Sequence, residues 1–545
     1  MKRIISLTTV LLVIVFLPLY SFSNKPLKAI CYTFSFKEIS NNKLIVECTF
    51  QGNKTGTTEL KLPHMWANQL ELEKNIIELS CINHTIQNTD QPHIKIIHHN
   101  PNDLITFSYS VQLLSENLSR ENYYRPLGNH EFFYGIGHGI FVIPSEQDGE
   151  MSIILKWNDI PGDWKIANSF GQGQIVQEVE GFSNDLPTYV FLAGDFQIIN
   201  CNPGSHPIYI AIRGNWPFSA DEFADLVGKI VMSQRNFWND YEYPYYLVSA
   251  IPIHTKNFYG GTALTYTFSL FLGDNNDSKD DYLKNLAGLI SHEHFHTWNG
   301  HKIRSCEPEG SMYWFSEGFT EYYSVKLNYN SGIISQKEYV NLINNFLIDY
   351  FSSPVHNISN NTIVKNSWTD RATQLLPYDR GFVLALYLDT KIQSKSEDLS
   401  LDNFMYDLLE LSKQNNKGFS FDNFFNLLGN YIDQQDLLSV KKFVIEGDTI
   451  PVFQEAVSSD YHLEWEDYIG FKLQESLSSG YVKGVLDGSA AFQAGLTNGV
   501  KIIDFNKDGT IVNVTIIDEN EGVQKNIKYE LKELKKIPRY INQKS

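Results

Sequence analysis

The sequence predicts a multidomain α+β protein with β structure at both ends and mostly helices between them. Short runs of alternating apolar and polar residues recur through residues 24–205, a pattern typical of strands. Apolar residues at helical spacing dominate residues 206–455. In residues 462–540, short apolar runs separated by glycines return. These changes of pattern divide the chain into three expected domains, at 24–205, 206–455 and 462–540.

The composition restricts the possible functions of the protein more than its possible folds. The chain has 545 residues, enough for about three domains. Its 63 acidic and 44 basic residues give a formal net charge of −19. Nucleic-acid binding depends on a basic surface, so this charge argues against a nucleic-acid partner. The usual meaning of such acidity is solubility, with a mild preference for basic or neutral peptides as ligands.

The first residues have the organisation of an export signal. Lys2 and Arg3 form a charged start, residues 4–20 are apolar, and Ser21-Phe22-Ser23 supplies small residues for cleavage. The sequence therefore predicts a signal peptide at 1–23 and an exported protein that is periplasmic or secreted. The apolar run is near the length of a membrane span, so an uncleaved anchor stays open. No later segment of the sequence is long and apolar enough to span a membrane.

Residues 24–205 predict a β-sandwich-like N-terminal domain. Residues 43–50 and 104–111 are two of its alternating runs, and Asn, Gly and Pro separate such runs. The histidines of this segment show no spacing typical of metal ligands, so we expect them in turns or on the surface.

Residues 206–455 predict a domain that is mixed at first and then helical. Its predicted elements are a helix at 219–238, strands at 245–251 and 262–272, and helices at 282–290, 381–392 and 401–411. A strand hairpin that leads into a helix, followed by an all-helical half, is similar to a thermolysin-like catalytic domain.

The most informative stretch is His292-Glu293-His294-Phe295-His296, which follows the helix predicted at 282–290. Residues four apart lie on one face of a helix, so His292 and His296 can bind one metal ion together. Glu293 lies about 100° around the helix from His292, within reach of a water on that metal. Glu317, at the start of a second predicted helix, supplies the third ligand. Two histidines, one glutamate and an open fourth position are typical of a catalytic site with one Zn²⁺ per chain.

The alternative to a metal site is a pair of buried histidines that only pack on a core helix. The context favours the metal, because helical periodicity leads into the motif and Trp314-Phe315-Ser316-Glu317-Gly318-Phe319 follows at a distance that a helix-loop-helix can span. Glu321 lies one turn after Glu317. It either orients a ligand imidazole from behind or is a solvated helix residue, and both readings stay open.

Residues 462–540 resemble a PDZ domain. Tyr468-Ile469-Gly470-Phe471 matches the x-Φ-G-Φ loop of such domains, and residues 488–496 match their small-residue helix ending in Ala-Gly-Leu. PDZ domains bind an extended peptide at a sheet edge, with the amides of the loop receiving a carboxylate. The resemblance implies that this domain binds a peptide terminus. A module that only packs against the preceding domain is the open alternative.

Together these blocks resemble the glycyl aminopeptidase family of gluzincin zinc metallopeptidases. The resemblance rests on residues 292–299, on Lys302-Ile303-Arg304 and on residues 314–323, and it includes the N-terminal domain only by position and β character. Tyr378-Asp379-Arg380-Gly381 is similar to a Tyr-x-Lys-Gly block of the wider aminopeptidase N clan. In that clan the tyrosine donates a hydrogen bond to the transition state, and the resemblance implies the same role for Tyr378.

One block departs from that family. Its members carry Gly-Gly-x-Glu on the strand that lines the substrate cleft, and the glutamate binds the free amino terminus of the substrate. Here the block is Gly260-Gly261-Thr262-Ala263, so Ala263 stands where the glutamate belongs. The expected substrate-binding residues are Gly260, Gly261, Thr262 and Ala263. The strand around residues 262–265 can still pair with an extended substrate backbone, which needs no free terminus. The sequence therefore predicts an endopeptidase or a dipeptidyl-type hydrolase that accepts peptides with blocked amino termini.

The sequence as a whole predicts an exported zinc metallopeptidase that acts on peptides or proteins. Glu293 is expected to be the general base for a zinc-activated water, and Tyr378 the donor to the oxyanion. A second hypothesis is a catalytically retired peptide-binding protein that uses the cleft and the PDZ-like domain. The presence of Glu293 and Tyr378 argues against it, since a retired site needs neither.

Overall fold

A computed structural model describes residues 28–543 except 68, 116, 117, 120, 146–148, 203, 243, 244, 257, 275–277, 367, 368, 416, 417, 519–521 and 533. The signal peptide expected at 1–23 therefore lies outside the described residues. Over the described ranges, none of the helices combines the length and apolar character needed to cross a membrane. The expected mixed α+β architecture is confirmed, with β-rich regions at both ends of the described chain.

The N-terminal region is built from strands. They are β1 (Ala29–Ser35), β2 (Lys43–Gln51), β3 (Thr57–Lys61), β4 (Ile76–Cys81), β5 (Ile86–Asn88), β6 (Ile94–His98), β7 (Leu104–Gln112), β8 (Leu127–Gly128), β9 (Phe132–Ile136), the short helix α1 (Gly137–Ile140), β10 (Ile143–Pro144), β11 (Met151–Asn158), β12 (Lys165–Asn168), β13 (Gly171–Gln172), β14 (Val176–Gly181) and β15 (Val190–Gly194). Their sheets have the orders β14-β11-β1-β2-β7-β4, β10-β3-β6-β5 and β13-β12-β15-β9-β8. Successive side chains of a strand point to opposite faces. Alternate residues of β2, from Leu44 to Phe50, are accordingly buried in one apolar core.

A second core is built on a mixed sheet. Its elements are β16 (Gln197–Asn200), β17 (Ile208–Ile212), α2 (Ala220–Trp238), β18 (Tyr246–Pro252), β19 (Tyr259–Leu264), β20 (Thr267–Leu272) and α3 (Lys279–Phe295). The strand order is β16-β17-β18-β20-β19, so β19 lies at an edge. The chain enters this sheet at Gln197, before the domain boundary expected between 205 and 206. The run expected as one strand at 262–272 is a hairpin, because Thr265 and Tyr266 turn the chain between β19 and β20.

The edge of β19 is the part of this sheet that bears on function. β19 and β20 pair antiparallel, and Leu264 pairs with Thr267 across their two-residue turn. In such a hairpin alternate residues direct their backbone groups toward the partner strand. Gly261 and Ala263 therefore turn their N–H and C=O groups to the free edge of the sheet, whereas Gly260 and Thr262 turn theirs to β20.

The rest of the central region is helical. The helices are α4 (Tyr313–Ser316), α5 (Gly318–Asn330), α6 (Gln336–Ser352), α7 (Asn360–Asn366), α8 (Arg371–Lys395), α9 (Leu401–Gln414), α10 (Phe421–Leu428) and α11 (Gln434–Ile445). The helix predicted to start at Gly381 is wrong at that end, since α8 starts at Arg371. Asp370 caps it by accepting a hydrogen bond from the Thr373 amide, and Pro377 lies inside it without ending it. Tyr378 therefore projects from the interior of a long helix.

The C-terminal region returns to β structure. It contains β21 (Tyr461–Asp467), α12 (Leu473–Ser479), α13 (Ala490–Gln493), β22 (Lys501–Asp508), β23 (Ile511–Asp518), β24 (Val523–Glu530) and β25 (Lys536–Asn542). β22, β23 and β24 form one antiparallel sheet, and β21 pairs with β25. The side-chain amide of Asn344 on α6 exchanges two hydrogen bonds with the backbone of Tyr540, at 2.8 and 2.9 Å. These bonds attach the C-terminal region to the helical region.

Two glycines let the helices of the central region approach backbone to backbone. A Cβ added at Gly381 on α8 would lie 1.9 Å from the carbonyl oxygen of Trp314 and 2.7 Å from the Cα of Gly318. A Cβ added at Gly318 would lie 2.3 Å from the Cα of Gly381. Only residues without a Cβ permit this crossing. It holds Glu317, next to Gly318, close to Tyr378, which precedes Gly381 by one turn of α8.

We expect Gly381→Ala to lower the free energy of unfolding by about 1–3 kcal/mol or more, because the added methyl overlaps backbone that cannot move aside. In an uncrowded helix the same change stabilises by about 1 kcal/mol. Gly288→Ala on α3 is the matched control, since a Cβ there meets no atom within 4 Å. Chemical denaturation measures both variants. A Gly381→Ala protein as stable as the wild type would contradict the close crossing.

Candidate metal centre

The helix α3 brings the two motif histidines to one site. Ser278 caps its start by accepting a hydrogen bond from the Asp281 amide. His292 lies in its last turns, and His296 is the residue at its C-terminal cap, still in helical conformation. The Nε2 atoms of the two imidazoles are 3.1 Å apart. The four-residue spacing therefore places the two imidazoles side by side, close enough to bind one metal ion.

Glu317 completes a cluster of three donors. Its Oε2 lies 3.3 Å from Nε2 of His292 and 3.5 Å from Nε2 of His296. Zinc–nitrogen and zinc–oxygen bonds of about 2.0–2.1 Å in a tetrahedron place ligand atoms about 3.3 Å apart. The separations of 3.1 to 3.5 Å fit one tetrahedral ion. Among the residues that the structure describes, this is the one cluster of three or more such groups that could hold a metal.

Groups behind the cluster orient the imidazoles. Nδ1 of His296 donates to the carbonyl oxygen of Asn299 at 3.0 Å, which leaves the Nε2 lone pair for a metal. Nδ1 of His292 lies 3.2 Å from Oε1 of Glu321. Carboxylates and carbonyls behind metal-ligating histidines commonly fix the ring in this way. The position of Glu321 thus favours the orienting role over a solvated one.

Asn299 also ties the third ligand to the metal helix. Its side-chain amide donates to the carbonyl oxygens of Phe315 and Ser316 and to the hydroxyl of Thr320, at 3.1 to 3.3 Å. These acceptors flank Glu317 in the chain. One residue therefore fixes the ring of His296 with its carbonyl and the backbone around Glu317 with its side chain. The sequence contains Asn299 within a family block, but the pattern gives no sign of this function.

The charges of the site favour a cation. Burial alone lowers the pKa of His292, but Glu321 and Glu317 outweigh it and hold that pKa well above its usual range. The pKa of His296 is raised as well, since Glu317 outweighs burial. Burial raises the pKa of Glu317, yet the two imidazoles prevail and hold it well below its usual range. The carboxylates thus create a strongly cation-attracting site at the imidazoles.

His294, the middle histidine of the motif, points elsewhere. Its Nδ1 lies 2.8 Å from Oε1 of Gln234, and the side chain is fully buried against α2. Burial and the nearby Arg235 lower its pKa to about 3. His294 is therefore a neutral core residue and not a ligand.

Glu293 and Tyr378 line the cavities next to the cluster. A cavity of about 490 Å³ extends from Glu293, His296 and Glu317 to the edge of β19. A second cavity, of about 510 Å³, lies between Glu293 and Tyr378 and includes Glu321. The rings of Tyr378 and His292 are stacked with centroids 6.2 Å apart. Burial and then Glu317 raise the pKa of Tyr378, so its hydroxyl stays a proton donor at physiological pH.

The strand β19 forms one wall of the larger cavity. Gly261, Thr262 and Ala263, three of the four residues expected to bind substrate, line it. Gly260 was expected there too, but its backbone pairs with Phe271 of β20 and its Cα faces the rings of Phe258 and Tyr123. Gly260 therefore packs the hairpin and does not line this cavity. Ala263 leaves this wall without the carboxylate of the resembled family.

Tyr124 reaches this wall from the β-rich N-terminal region. Its hydroxyl donates to the carbonyl oxygen of Gly261 at 3.2 Å, and its ring packs edge-on against Trp66. Burial, the neighbouring Tyr123 and Glu293 raise its pKa, so this hydroxyl also stays protonated. Sequence reasoning missed Tyr124, because no local pattern links it to a strand 137 residues away.

Comparisons with known proteins agree with this geometry. Residues 285–381, which contain the donor cluster and Tyr378, match the model of the M61 glycyl aminopeptidase family. Leucine aminopeptidase 2 of Candida glabrata is 24% identical over 237 residues, 40% of this chain and 33% of that protein. The membrane alanyl aminopeptidase of Manduca sexta is 27% identical over 146 residues, 24% of this chain and 14% of that protein. The chain thus spans a third or less of these relatives.

The fold is shared with a solved structure. An aminopeptidase N family protein from Idiomarina loihiensis superposes with a TM-score of 0.69 at 18% identity, over 94% of this chain and 98% of that chain. The fold, the donor cluster and the matched segment are thus each similar to those of metallopeptidases. The match over residues 285–381 is to the same glycyl aminopeptidase family that the sequence blocks resemble.

We expect Glu321→Gln to weaken Zn²⁺ binding by about 10- to 100-fold, because the neutral amide holds the His292 ring less firmly and reduces its basicity. Competition with a chromophoric chelator measures the dissociation constant. Glu410→Gln, which removes an exposed carboxylate on α9, is the matched control and should bind as the wild type does. Equal Zn²⁺ affinities of Glu321→Gln and the control would show that Glu321 does not support metal binding.

Proposed function

We propose that this chain is an exported zinc metallopeptidase that hydrolyses peptide bonds with one Zn²⁺ held by His292, His296 and Glu317. The observation that carries the proposal is the spacing of the three donors, 3.1 to 3.5 Å, which suits one tetrahedral zinc ion. Three protein ligands leave a coordination position for chemistry. A bound zinc ion polarises a peptide carbonyl and lowers the pKa of water to about 7.

Glu293 is the proposed general base. It is next to His292 on α3 and lines both cavities, so it faces the space in which a peptide bond and a water would meet. Its carboxylate accepts the proton of the attacking water and then delivers it to the leaving amine. Positioned proton transfer of this kind contributes typically 10²- to 10⁴-fold in rate.

Tyr378 is the proposed donor to the oxyanion. Its raised pKa keeps the hydroxyl protonated, and α8 directs it into the cavity shared with Glu293. A donor that is already in place when negative charge develops on the carbonyl oxygen contributes about 3 kcal/mol to the rate. The close crossing at Gly318 and Gly381 supports this role, because it limits how far Tyr378 can move from Glu317.

We also propose that the cleft accepts substrates without a free amino terminus. In the described part of the chain, the acidic residues that line the two cavities are Glu293, Glu307, Glu317 and Glu321. Glu317 and Glu321 face the histidines, and Glu307 accepts a hydrogen bond from the Phe421 amide at 3.0 Å. Glu293 faces the reacting bond as the proposed base. None of these four described carboxylates is therefore left to replace the one missing at Ala263.

The free edge of β19 supports binding of an extended peptide. Ala263 offers its N–H and C=O to a substrate strand. The carbonyl of Gly261 already accepts from Tyr124, but a carbonyl oxygen has two lone pairs and can accept a substrate N–H as well. Endopeptidase or dipeptidyl-type cleavage follows from these features.

For residues 462–540 we propose a PDZ-like domain that binds a peptide terminus. Within the described ranges, the amides of Ile469, Gly470 and Phe471 have no hydrogen-bond partner. Gly470 has a φ of 94°, a conformation that turns successive amides toward one point. A cavity of about 400 Å³ lies beside Ile469 and Phe471. The free amides of this loop, two of them on residues that line the cavity, support recognition of a carboxylate.

The competing hypothesis is a retired peptide-binding protein, and Glu293→Gln distinguishes the two. The variant removes the base and spares the ligands, so we expect bound zinc to be retained and turnover of a quenched peptide library to fall by about 10²- to 10⁴-fold. Metal analysis and steady-state kinetics measure the two properties, with Glu410→Gln as control. Wild-type protein that holds zinc but cleaves no peptide would favour the retired binding protein.

Amino-terminal blocking tests the specificity. We expect an N-acetylated peptide to be cleaved at least as well as its free-amine form, since the wall at Ala263 has no carboxylate to pair with an ammonium. Ala263→Glu should raise kcat/KM for the free amine relative to the acetylated form by about 10-fold or more. A strong preference of the wild type for the free amine would show that another group binds the terminus and that the protein is an aminopeptidase.

A further inference from the structure

Arg304 is a cation without a partner in the wall of the catalytic cleft. The described arginines other than Arg304 each donate a recorded hydrogen bond to a protein group: Arg125 to Gln69, Arg213 to Asp195, Arg235 to His206, Arg371 to Gln374, Arg380 to Ile358 and Arg539 to Glu466. Arg304 is exposed, lines the cavity of about 490 Å³ together with Glu293 and His296, and has no such partner among the described residues.

The loop that carries Arg304 is held in place. Its carbonyl oxygen accepts a hydrogen bond from the Phe419 amide at 2.8 Å, and the preceding Ile303 amide donates to Trp298 at 2.7 Å. Gly418 packs so closely that a Cβ on it would lie 2.2 Å from the carbonyl oxygen of Arg304. Lys302, two residues earlier, forms ion pairs with Asp240 and Glu242. The guanidinium of Arg304 is thus presented from a fixed backbone.

Among the described residues, no acidic side chain forms an ion pair with Arg304. Glu307 also lines the cavity, but it caps the start of α10 through the Phe421 amide. His301 is a further basic side chain that lines the cavity. Burial, then His296 and Arg304, lower the pKa of His301, so it adds no positive charge at neutral pH. The positive charge of this wall is therefore that of Arg304.

We propose that Arg304 binds a carboxylate of the substrate, so that the cleft selects peptides with an acidic group close to the scissile bond. This inference rests on the proposed peptidase function. A guanidinium offers a planar pair of N–H donors that matches a carboxylate in bidentate geometry. On a chain with a net charge of −19, an unpaired arginine in the cleft supplies the local attraction that an acidic ligand needs.

The absence of a glutamate at position 263 supports the same inference. Ala263 and Arg304 line one cavity, so the strand wall offers no carboxylate to a substrate ammonium and the loop wall offers a guanidinium to a substrate carboxylate. The carboxylate has two chemical sources, the carboxyl terminus of a short peptide or an Asp or Glu side chain next to the cleaved bond. Two matched substrate pairs separate these sources.

The experiment compares wild type, Arg304→Gln, Arg304→Lys and Lys54→Gln on these pairs. The first pair is one short peptide as the free acid and as the C-terminal amide, and the second is an amidated peptide with Asp or Asn beside the scissile bond. Lys54 lies exposed in the N-terminal region, so Lys54→Gln removes one positive charge away from the cleft. Binding of the same peptides in the Glu293→Gln background reports recognition without turnover.

We expect Arg304→Gln to lower kcat/KM for the acidic member of at least one pair by about 10- to 100-fold, mainly through KM, with the neutral member changed less than about twofold. Arg304→Lys should recover part of the loss, and Lys54→Gln should match the wild type. A preference lost only in the first pair identifies the carboxyl terminus as the ligand, and only in the second an acidic side chain. Equal effects on acidic and neutral members, in kinetics and in binding, would overturn the inference. Absence of all turnover with acid-selective binding retained would refute the proposed peptidase function instead.

Discussion

The contact of Gly318 with Gly381 is the constraint on which the rest of the centre depends. It joins the junction of α4 and α5, which carries Glu317, to α8, which carries Tyr378. Asn299 makes the matching connection on the other side, from the end of the metal helix to the backbone around Glu317. These contacts hold three separate segments of the chain at the donor cluster. Rigid support of this kind is what metal ligation and transition-state stabilisation both require.

Charge is arranged in layers around that point. The carboxylates of Glu317 and Glu321 attract a cation to the two imidazoles, and burial strengthens their interaction with the rings. Farther out, the cleft walls add one positive charge, that of Arg304. The strand wall has an alanine where an acid would bind an ammonium, and the loop wall has an unpaired arginine. The donor cluster thus matches the pattern of the family that the sequence resembles, whereas the cleft walls differ from that pattern at Ala263.

Local chemistry was predictable from the sequence and tertiary proximity was not. The spacing of His292 and His296 implies one helix face by geometry alone, and Glu317 followed from its block. Tyr378 was recognised by resemblance, but the helix around it was misplaced, because Pro377 favours a helix start and the packing of α8 overrides that preference. Tyr124 gave no signal, since its contact with Gly261 spans two regions of the chain. Arg304 was visible within a block, but only the structure shows that it has no partner.

Anomalous diffraction at the zinc absorption edge tests the central claim most directly. Crystals grown from protein that has met no added metal would be measured just above and just below the edge, and the difference would locate any zinc without a model of the site. One peak per chain, about 2.0–2.2 Å from Nε2 of His292, Nε2 of His296 and a carboxylate oxygen of Glu317, is the expected result. No peak after zinc is supplied in excess, or a peak held by other residues, would contradict it.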